Sequence, residues 1–329
     1  GQVTGSLSGD EAMRKQMRRH LGEEVDDFIW HLRWRGHQII QQRVEKYAIA
    51  CDLKHGHLHA AYKPSHLPGL RADYEEAVRR GMGDEVSLLD RAQVRELLES
   101  ELYHGAIKNT RNLHLHPLNL CIGEARAAES LGALIFEHSE VLEIIHGERP
   151  AVVTAQGRID ARQVLLAGDV YHKLEPKQLK GKIFPAMGGI VTTEPLGDLA
   201  KRLNPEDLAV YDCRFVLDYY RMTADGRLLF GGGANYSGKD SRDIAGELRP
   251  CIERTFPALK GVGIDFQWSC AMGIVINRIP QLGKLSDNVW YCQGYSGHGV
   301  ATTHIMGEIM AQALTGPVSY THLTLPTKA

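Results

Sequence analysis

Apolar residues near the start of the chain recur every three or four positions and predict a long amphipathic helix. Between about Gly9 and Tyr47, polar and charged residues fill the positions between them. This is the pattern of a helix that packs one face against a core. The residues that set the period are Val25, Phe28, Ile29, Leu32, Ile39 and Ile40.

A second helical period, between Pro117 and Gly132, is typical of an α/β unit. Proline suits the first turn of a helix because its missing N–H has no partner there, and glycine suits the position just past the end. The apolar run from Ala133 to Phe136 then predicts a short buried strand. Three further short strands follow, with turns at Gly147 to Pro150 and at Gln156-Gly157.

The last of these strands, QVLLAGD, is an apolar run closed by Gly168, the pattern of a central parallel strand. Farther along, YYRMT and RLLFGGG flank Asp225-Gly226, a strong hairpin signal that predicts a separate antiparallel sheet. Asp90 precedes another helical period and is expected to cap it. The stretch from Asp243 to Pro257 predicts a helix that breaks at Pro250, because proline disrupts helix interiors.

The composition is that of a globular protein and disfavours several classes of function. The 329 residues are 43% hydrophobic and 24% charged, with 38 Lys and Arg against 40 Asp and Glu. This balance does not support binding to nucleic acid or a membrane surface, and no apolar run is long enough to span a bilayer. The 6 cysteines occur singly, so we expect no disulfide framework or zinc site, and a reducing, cytoplasmic setting.

Alternating histidines at His55, His57 and His59 raise the possibility of a metal site. A regular strand would place all three on one face. Because no carboxylate or cysteine pattern accompanies them, a surface or pocket-lining strand is favoured, and no metal is expected.

The stretch GYSGHGV, from Gly294 to Val300, contains three glycines just where the final helix is predicted to begin. Glycine permits positive φ and close approach of the backbone to another group. The start of a helix also offers unpaired N–H groups and a partial positive charge. Two interpretations are equally supported by this stretch alone: a site for an anion or an electron-rich carbonyl edge, and a tight strand-to-helix turn without a ligand.

Several segments in order resemble one family: HPLNLCIGEARAAESLGALIFEHSEV, RQVLLAGD, VTTEPL, DYYRMTADGRLLFGGG and NRIPQLG followed by NVWYCQGYSGHGV. They are similar to the FAD-dependent amine and amino-acid oxidoreductases related to D-amino-acid oxidase and glycine oxidase, and within them to the γ-glutamylputrescine oxidase type. The similarity covers about Gly1 to Gly316.

The resemblance implies an α/β plus α+β fold: a Rossmann-like FAD-binding domain beside a substrate domain with an antiparallel sheet. The FAD-binding domain is expected at 1–48, 116–182 and 268–316, and the substrate domain at 49–115 and 183–267. The family opens with a βαβ unit carrying G-x-G-x-x-G, which this sequence lacks, so we expect it to be truncated at the N-terminus. Residues 317–329 have no helical period and are expected to be a non-native tail.

The resemblance also implies which residues bind FAD. In the stretch before the final helix, backbone N–H groups would approach the pyrimidine edge of the flavin, where negative charge gathers on reduction. A core valine at position 141 and a plain strand-ending turn at 167–168 are the competing interpretations. The implied cofactor-binding residues are Gly1, Gln2, Val141, Ala167, Gly168, Gly294, Ser296, Gly297, His298, Gly299 and Val300.

Four residues are implied to be catalytic or to face the substrate. Tyr219 and Arg221 alternate on one strand and share a face, so that tyrosine could shape an amine pocket and arginine could bind a carboxylate. Arg278 would face substrate or flavin, and His298 would orient substrate or tune the ring. The competing interpretations are a core tyrosine with a solvated arginine, and a structural salt bridge at Arg278.

The implied reaction is oxidation of a C–N bond in a small amine or amino acid of the γ-glutamylputrescine kind. Hydride passes to flavin N5, the imine hydrolyses, and O₂ reoxidises the flavin to give H₂O₂. A dehydrogenase that passes electrons to a quinone or another protein remains an alternative. A truncated, catalytically inert fragment is a third possibility.

Overall fold

The computed structural model describes residues 1–5 and 11–315, so the expected tail at 317–329 lies outside the described residues. Its strands are β1 Gln2–Val3, β2 Lys54–Ala60, β3 Val86–Asp90, β4 Gly105–His114, β5 Val141–Ile145, β6 Ala151–Thr154, β7 Arg158–Asp160, β8 Val164–Leu166, β9 Phe184–Thr193, β10 Ala209–Asp212, β11 Tyr219–Met222, β12 Leu228–Asn235, β13 Ile264–Ile274, β14 Gln281–Ser286 and β15 Val289–Gln293.

The helices are α1 Glu11–Leu21, α2 Glu24–Lys46, α3 Leu67–Arg79, α4 Arg91–Leu97, α5 Pro117–Ser130, α6 Pro176–Leu179, α7 Asp198–Leu203, α8 Ile244–Thr255 and α9 Gly299–Thr315. Short 3₁₀ turns occur at Pro64–His66, Asp169–Tyr171 and Pro257–Leu259. Within the described ranges, no helix combines the length and apolar character needed to cross a membrane.

The first of two compact units, here called the sheet unit, comprises Gly1–Val3, Cys51–Pro117 and Ala186–Cys270. Its sheet has the strand order β1-β4-β2-β10-β11-β12-β9-β13, and β3 also pairs with β4. Most pairs are antiparallel, whereas β2 and β10 are parallel. The hairpin predicted at Asp225-Gly226 joins β11 to β12, with Gly226 at φ +74°, and is confirmed.

Aromatic residues on the central strands form the core of the sheet unit. Tyr220 and Phe230 lie on the paired strands β11 and β12 with their ring centroids 5.5 Å apart, and Phe256 meets Tyr220 edge-on at 5.2 Å. All three residues are fully buried. Leu248 and Ile252 of α8 pack into the same cluster. The sheet is therefore covered on this face by an amphipathic helix.

The second unit, here called the helix-rich unit, comprises Thr4–Ala50, Leu118–Pro185 and the chain from Ala271 onward. One of its sheets has the order β14-β15-β8, in which β8 runs parallel to β15, so the parallel direction predicted for the strand before Gly168 is confirmed. Among the described strands, β8 lies at the edge of this sheet and not in its centre as predicted. Another sheet joins β5, β6 and β7 in antiparallel pairs. The predicted strand QVLLAGD corresponds to β8, and β7 is a further short strand that precedes it.

Helices α2 and α9 of the helix-rich unit approach each other closely at a glycine. A Cβ built at Gly36 would lie 2.4 Å from the carbonyl oxygen of Ala301. Glycine inside a helix costs about 1 kcal/mol relative to alanine, but no larger residue fits at this crossing. The buried Ile305 and Met306 of α9 continue the contact with Leu32 of α2.

The prediction of one helix between Gly9 and Tyr47 is wrong because the chain forms two helices there. Helix α1 ends at Leu21 and α2 begins at Glu24. Gly22 has φ +88°, and its N–H donates to the Arg18 carbonyl at 2.9 Å, which ends the first helix in a left-handed turn.

The buried strand predicted at Ala133 to Phe136 does not form. These four residues have no regular secondary structure and are exposed, with 80% of Leu134 and 62% of Phe136 accessible to solvent. A strand needs a partner to pair its backbone groups, and no described strand pairs with this segment. The preceding helix is as predicted: α5 begins at Pro117, and Gly132 follows it at φ +93°.

The break predicted at Pro250 is also wrong, since α8 runs without interruption through this residue. Proline removes one backbone hydrogen bond, but the buried Leu248 and Ile252 hold the helix against the sheet on either side of it. The cap predicted at Asp90 is confirmed. Its carboxylate accepts from the Gln93 N–H at 2.9 Å, and the Gln93 side chain accepts from the Asp90 N–H, which completes a capping box.

Candidate functional site

The glycine-rich segment forms a tight turn that leads directly into α9. In this segment, here called the glycine turn and comprising Gly294–Gly299, Gly294, Ser296 and Gly297 have φ values of +81°, +53° and +88°. Helix α9 begins at Gly299. A tight turn therefore precedes the final helix, and left-handed backbone explains two of its glycines. Whether this turn also holds a ligand stays a prediction.

The glycines of the turn differ in what their missing side chains would meet. A Cβ at Gly294 would lie 2.3 Å from Cγ2 of Val275, so the protein itself requires glycine there. At Gly299 the backbone has no positive φ, and a Cβ would meet only the Cβ of Tyr295, at 3.7 Å. The protein itself therefore does not require glycine at position 299, at the start of the helix.

Hydrogen bonds within the helix-rich unit hold the glycine turn in shape. The Ser296 N–H donates to the Gly273 carbonyl at 2.9 Å, and the Val275 N–H donates to Ser296 Oγ at 3.1 Å. The Gly294 N–H donates to Oδ1 of Asp169 at 3.0 Å. The turn is thus tied to the end of β13 and to the segment after β8.

Asp169 contacts the glycine turn and is a candidate site residue that was not predicted from the sequence. It directly follows Ala167 and Gly168 at the end of β8 and has φ +49°. A Cβ built at Gly273 would lie 2.1 Å from Oδ1 of Asp169, so the carboxylate occupies the space that a side chain at Gly273 would need. The sequence feature that could have indicated Asp169 is a polar residue directly after the glycine that ends a strand. The structure thereby brings the predicted cofactor residues Ala167 and Gly168 into the segment that contacts the glycine turn.

His298 lies in the glycine turn, and its Nδ1 is 3.4 Å from the Thr4 hydroxyl. Desolvation by surrounding protein atoms and, to a smaller extent, the charge of Arg278 lower the pKa of His298 below 6.5. The imidazole is therefore neutral at pH 7, with one ring nitrogen able to accept a hydrogen bond.

Arg278 lies in the loop between β13 and β14, close enough to influence His298 electrostatically. It has φ +61°, and its N–H donates to the Val275 carbonyl at 3.0 Å. Left-handed backbone is uncommon for a residue other than glycine and is concentrated at functional sites. The structure thus brings together two of the predicted catalytic residues in the helix-rich unit.

Val141 begins β5, which belongs to the sheet β5-β6-β7 rather than to the sheet that ends at the glycine turn. Its backbone pairs with Thr154, and its side chain packs against the cluster of Ile144, Val164 and Val289. Its contact with a cofactor stays a prediction.

Tyr219, in the sheet unit, lies over a glycine of the neighbouring strand. It is the register partner of Gly231, where a Cβ would lie 2.2 Å from the tyrosine ring. Burial, with a smaller contribution from Cys270, raises the pKa of Tyr219 to about 12, so the hydroxyl remains protonated. Tyr220 points to the opposite face and into the core, as the alternation predicts.

Arg221 is 2% exposed and belongs to an internal network of the sheet unit. Its Nη1 donates to Nδ1 of His114 at 3.1 Å and lies 3.5 Å from Oδ2 of Asp52. Burial and then the charge of Arg221 lower the pKa of His114 to about 3, so that ring is neutral and accepts the bond. The alternative of a solvated arginine is wrong, and a role in substrate binding stays a prediction.

Gly1 and Gln2 belong to the sheet unit, whereas the other predicted cofactor-binding residues belong to the helix-rich unit. Strand β1 pairs with β4, and Nε2 of Gln2 donates to the carbonyls of Val210 and Tyr220, each at 3.0 Å. The Gln2 side chain is therefore engaged with the strands β10 and β11.

The three alternating histidines do not converge. The β2–β4 register shifts between His55 and His57, with Gly56 at φ +105°, so the strand is irregular there. His55 is exposed, whereas His57 and His59 lie against the ring of Tyr211. No group of three potential metal ligands occurs in the part of the chain that the structure describes.

Comparison with known proteins identifies the family. The family model described as "FAD dependent oxidoreductase" (DAO) matches residues 1–313. Gamma-glutamylputrescine oxidoreductase of Escherichia coli (strain K12) is 38% identical over 319 residues, which is 96% of this chain and 74% of that protein.

Solved structures share the fold. Glycine oxidase from Geobacillus kaustophilus has a TM-score of 0.76 at 18% identity, over 91% of this chain and 84% of that one. L-proline dehydrogenase from P. horikoshii also has a TM-score of 0.76, at 19% identity, over 99% and 84% of the two chains. The predicted mixed α/β fold is thereby confirmed. The chain belongs to the DAO family of FAD-dependent oxidoreductases, and its cofactor is FAD.

Proposed function

We propose that the protein oxidises a C–N bond of a small amine or amino acid, with FAD bound against the glycine turn. The observation that carries the cofactor placement is the left-handed glycine turn that leads into the N-terminus of α9, where a Cβ at Gly299 would meet only the Cβ of Tyr295, at 3.7 Å. The 38% identity to gamma-glutamylputrescine oxidoreductase supports an amine of the γ-glutamylputrescine kind as substrate.

The glycine turn would hold the electron-rich edge of the cofactor without a cationic side chain. The first N–H groups of α9 have no partner within the helix, and its N-terminus carries a partial positive charge. Donors fixed before the reaction stabilise developing negative charge without reorganising. Bound FAD would supply the acceptor for the hydride that leaves the carbon carrying the nitrogen. The candidate cofactor contacts in this unit are Gly168, Gly294, Ser296, Gly297, Gly299 and Val300.

Arg278 and His298 are proposed to orient the substrate. A guanidinium binds a carboxylate bidentately, so Arg278 suits an amino-acid or γ-glutamyl group. His298, neutral at pH 7 because desolvation and Arg278 lower its pKa, can accept a hydrogen bond from the substrate nitrogen. On this proposal the helix-rich unit binds the cofactor and supplies Arg278 and His298.

The product imine would react with water to give an aldehyde or keto acid, with ammonia from a primary amine or an amine from a secondary one, and O₂ as the terminal electron acceptor would be reduced to H₂O₂. To test the reaction, the full-length gene product is purified and its flavin absorbance is recorded. It is then assayed for peroxide with γ-glutamylputrescine, putrescine, sarcosine and glycine. We expect a bound flavin and peroxide from at least the first amine.

Two other results would change the proposal. Reduction of an artificial dye without peroxide would replace the oxidase by a dehydrogenase acting on the same bond. A purified protein that binds no flavin would overturn the cofactor placement and with it the proposed function.

A further inference from the structure

We propose that Asp169 is a positioning residue for the cofactor: its carboxylate holds the glycine turn in shape, and its charge lowers the reduction potential of bound FAD. The proposal rests on the placement of FAD at the glycine turn proposed above. Neither the family resemblance nor the residues predicted from it assign a role to this aspartate.

The carboxylate of Asp169 contacts two glycines, Gly294 and Gly273. Oδ1 accepts the Gly294 N–H at 3.0 Å, which fixes the first residue of the glycine turn. The same oxygen occupies space that any side chain at Gly273 would fill, since a Cβ there would lie 2.1 Å away. With φ +49°, Asp169 has a backbone conformation that asparagine and aspartate tolerate better than most residues.

A neighbouring contact holds Asp169 itself in place. Asp169–Tyr171 forms a short 3₁₀ turn after β8, and the Tyr171 hydroxyl makes two bonds to the backbone of Ala271. It donates to the Ala271 carbonyl at 3.1 Å and accepts from the Ala271 N–H at 3.0 Å. The carboxylate is thus presented from a segment anchored at both ends, by β8 and by Ala271.

The charge of Asp169 opposes the partial positive charge at the start of α9. Adding electrons to a bound group beside the glycine turn raises its negative charge, and a carboxylate one hydrogen bond away from that turn repels it. Asp169 is only partly exposed, so solvent screens this repulsion less than it would on an open surface. Neutralising the residue without changing its shape should therefore make the bound flavin easier to reduce.

The positioning role is tested by hydrogen–deuterium exchange of the glycine turn in the cofactor-free full-length protein. In Asp169→Ala, loss of one hydrogen bond should speed exchange at the Gly294 amide roughly fivefold. Asp169→Asn keeps an acceptor oxygen and tolerates the left-handed backbone, so its exchange should match wild type. Asp287→Ala, which removes an exposed carboxylate elsewhere in the same unit, serves as control. Unchanged exchange in Asp169→Ala would overturn the positioning role.

The electrostatic role is tested by measuring the midpoint potential of FAD in the holoenzyme. Asp169→Asn should bind FAD as wild type does, with a more positive midpoint potential, whereas Asp287→Asn should leave the potential unchanged. An unchanged potential in Asp169→Asn would refute the electrostatic role. This outcome differs from failure of the proposed function, in which wild type itself would bind no FAD.

Discussion

Single residues of the sheet unit show how burial controls charge. Arg221 would be costly to bury alone, and it is compensated by the carboxylate of Asp52 and the neutral ring of His114. The pKa of His114 falls to about 3 because burial, and then the nearby arginine, disfavour a second positive charge. The pKa of His59 is also lowered, to about 4, mainly because the ring is buried.

These shifts predict that acid destabilises the protein. Between the lowered pKa of His114 and its ordinary value of 6.5, the unfolded chain binds a proton that the folded chain does not. The free energy of unfolding should therefore fall as the pH is lowered from about 6.5. Urea unfolding between pH 7 and pH 4.5 measures this slope. His114→Gln should reduce it by about 1.4 kcal/mol per pH unit, and the exposed His55→Gln should not. An equal slope in His114→Gln would contradict the assignment.

The pair of Tyr219 and Gly231 gives a second prediction at this scale. Gly231→Ala places a Cβ within the volume of the tyrosine ring, so we expect a destabilisation of about 1–3 kcal/mol. Removing the ring with Tyr219→Ala should relieve most of this cost. Urea unfolding of the two single variants and the double variant gives the coupling between the sites. Additive effects would show that the ring does not occupy this space.

Two helices contain a residue that helix propensity disfavours, and in each the packing against a neighbouring element explains it. Glycine lies in the middle of the long helix α2 because α9 passes close to it there. Proline lies inside α8, which packing on the sheet keeps continuous. In both cases tertiary contacts outweigh the local preference of one residue.

The α2–α9 crossing can be tested with two glycines that differ in their surroundings. Gly36→Ala improves helix propensity by about 1 kcal/mol but should lower stability overall, by about 1–3 kcal/mol, because its Cβ meets the Ala301 carbonyl. Gly307→Ala, in α9, has no atom within 4 Å of its Cβ and should be neutral or stabilising. Thermal unfolding of both variants measures this contrast. Equal effects would contradict the close crossing.

At the scale of the whole molecule, the chain passes several times from one compact unit to the other. Each unit is therefore assembled from segments distant in sequence. The glycine turn, the Arg278 loop and the end of β8 belong to the helix-rich unit, whereas Tyr219 and Arg221 belong to the sheet unit. The assignment of one unit to the cofactor and the other to the substrate stays a prediction.

Binding of FAD should stabilise the whole protein, and a side chain beside the glycine turn should abolish this effect. A ligand at 100 times its dissociation constant adds about 2.7 kcal/mol to the stability. Gly299→Leu should fold like wild type without FAD, because the backbone there has no positive φ and a Cβ would meet only the Cβ of Tyr295 at an ordinary 3.7 Å, but it should lose the rise in melting temperature with FAD. Gly307→Leu, on the same helix, should keep that rise. A normal FAD response in Gly299→Leu would place the cofactor elsewhere.

Features that depend only on residues close together in the sequence could be predicted from the sequence alone. The Asp225-Gly226 hairpin, the Asp90 cap and the turn before α9 follow from local sterics and backbone hydrogen bonding, which a few consecutive residues specify. The family was also recognisable, because its segments retain their order along the chain. Gly22 was missed as a helix end because the charged and apolar period continues across it.

Only the tertiary structure decided the features that join distant parts of the chain. Asp169 reaches Gly294 across 125 positions, and Arg221 reaches His114 across 107. The apolar run Ala133 to Phe136 forms no strand because a strand needs a partner, which its own composition does not provide. Sequence by itself thus determined the turns, caps and family of this protein. Burial, charge pairing and the anchoring of the glycine turn depend on contacts that exist only once the chain is folded.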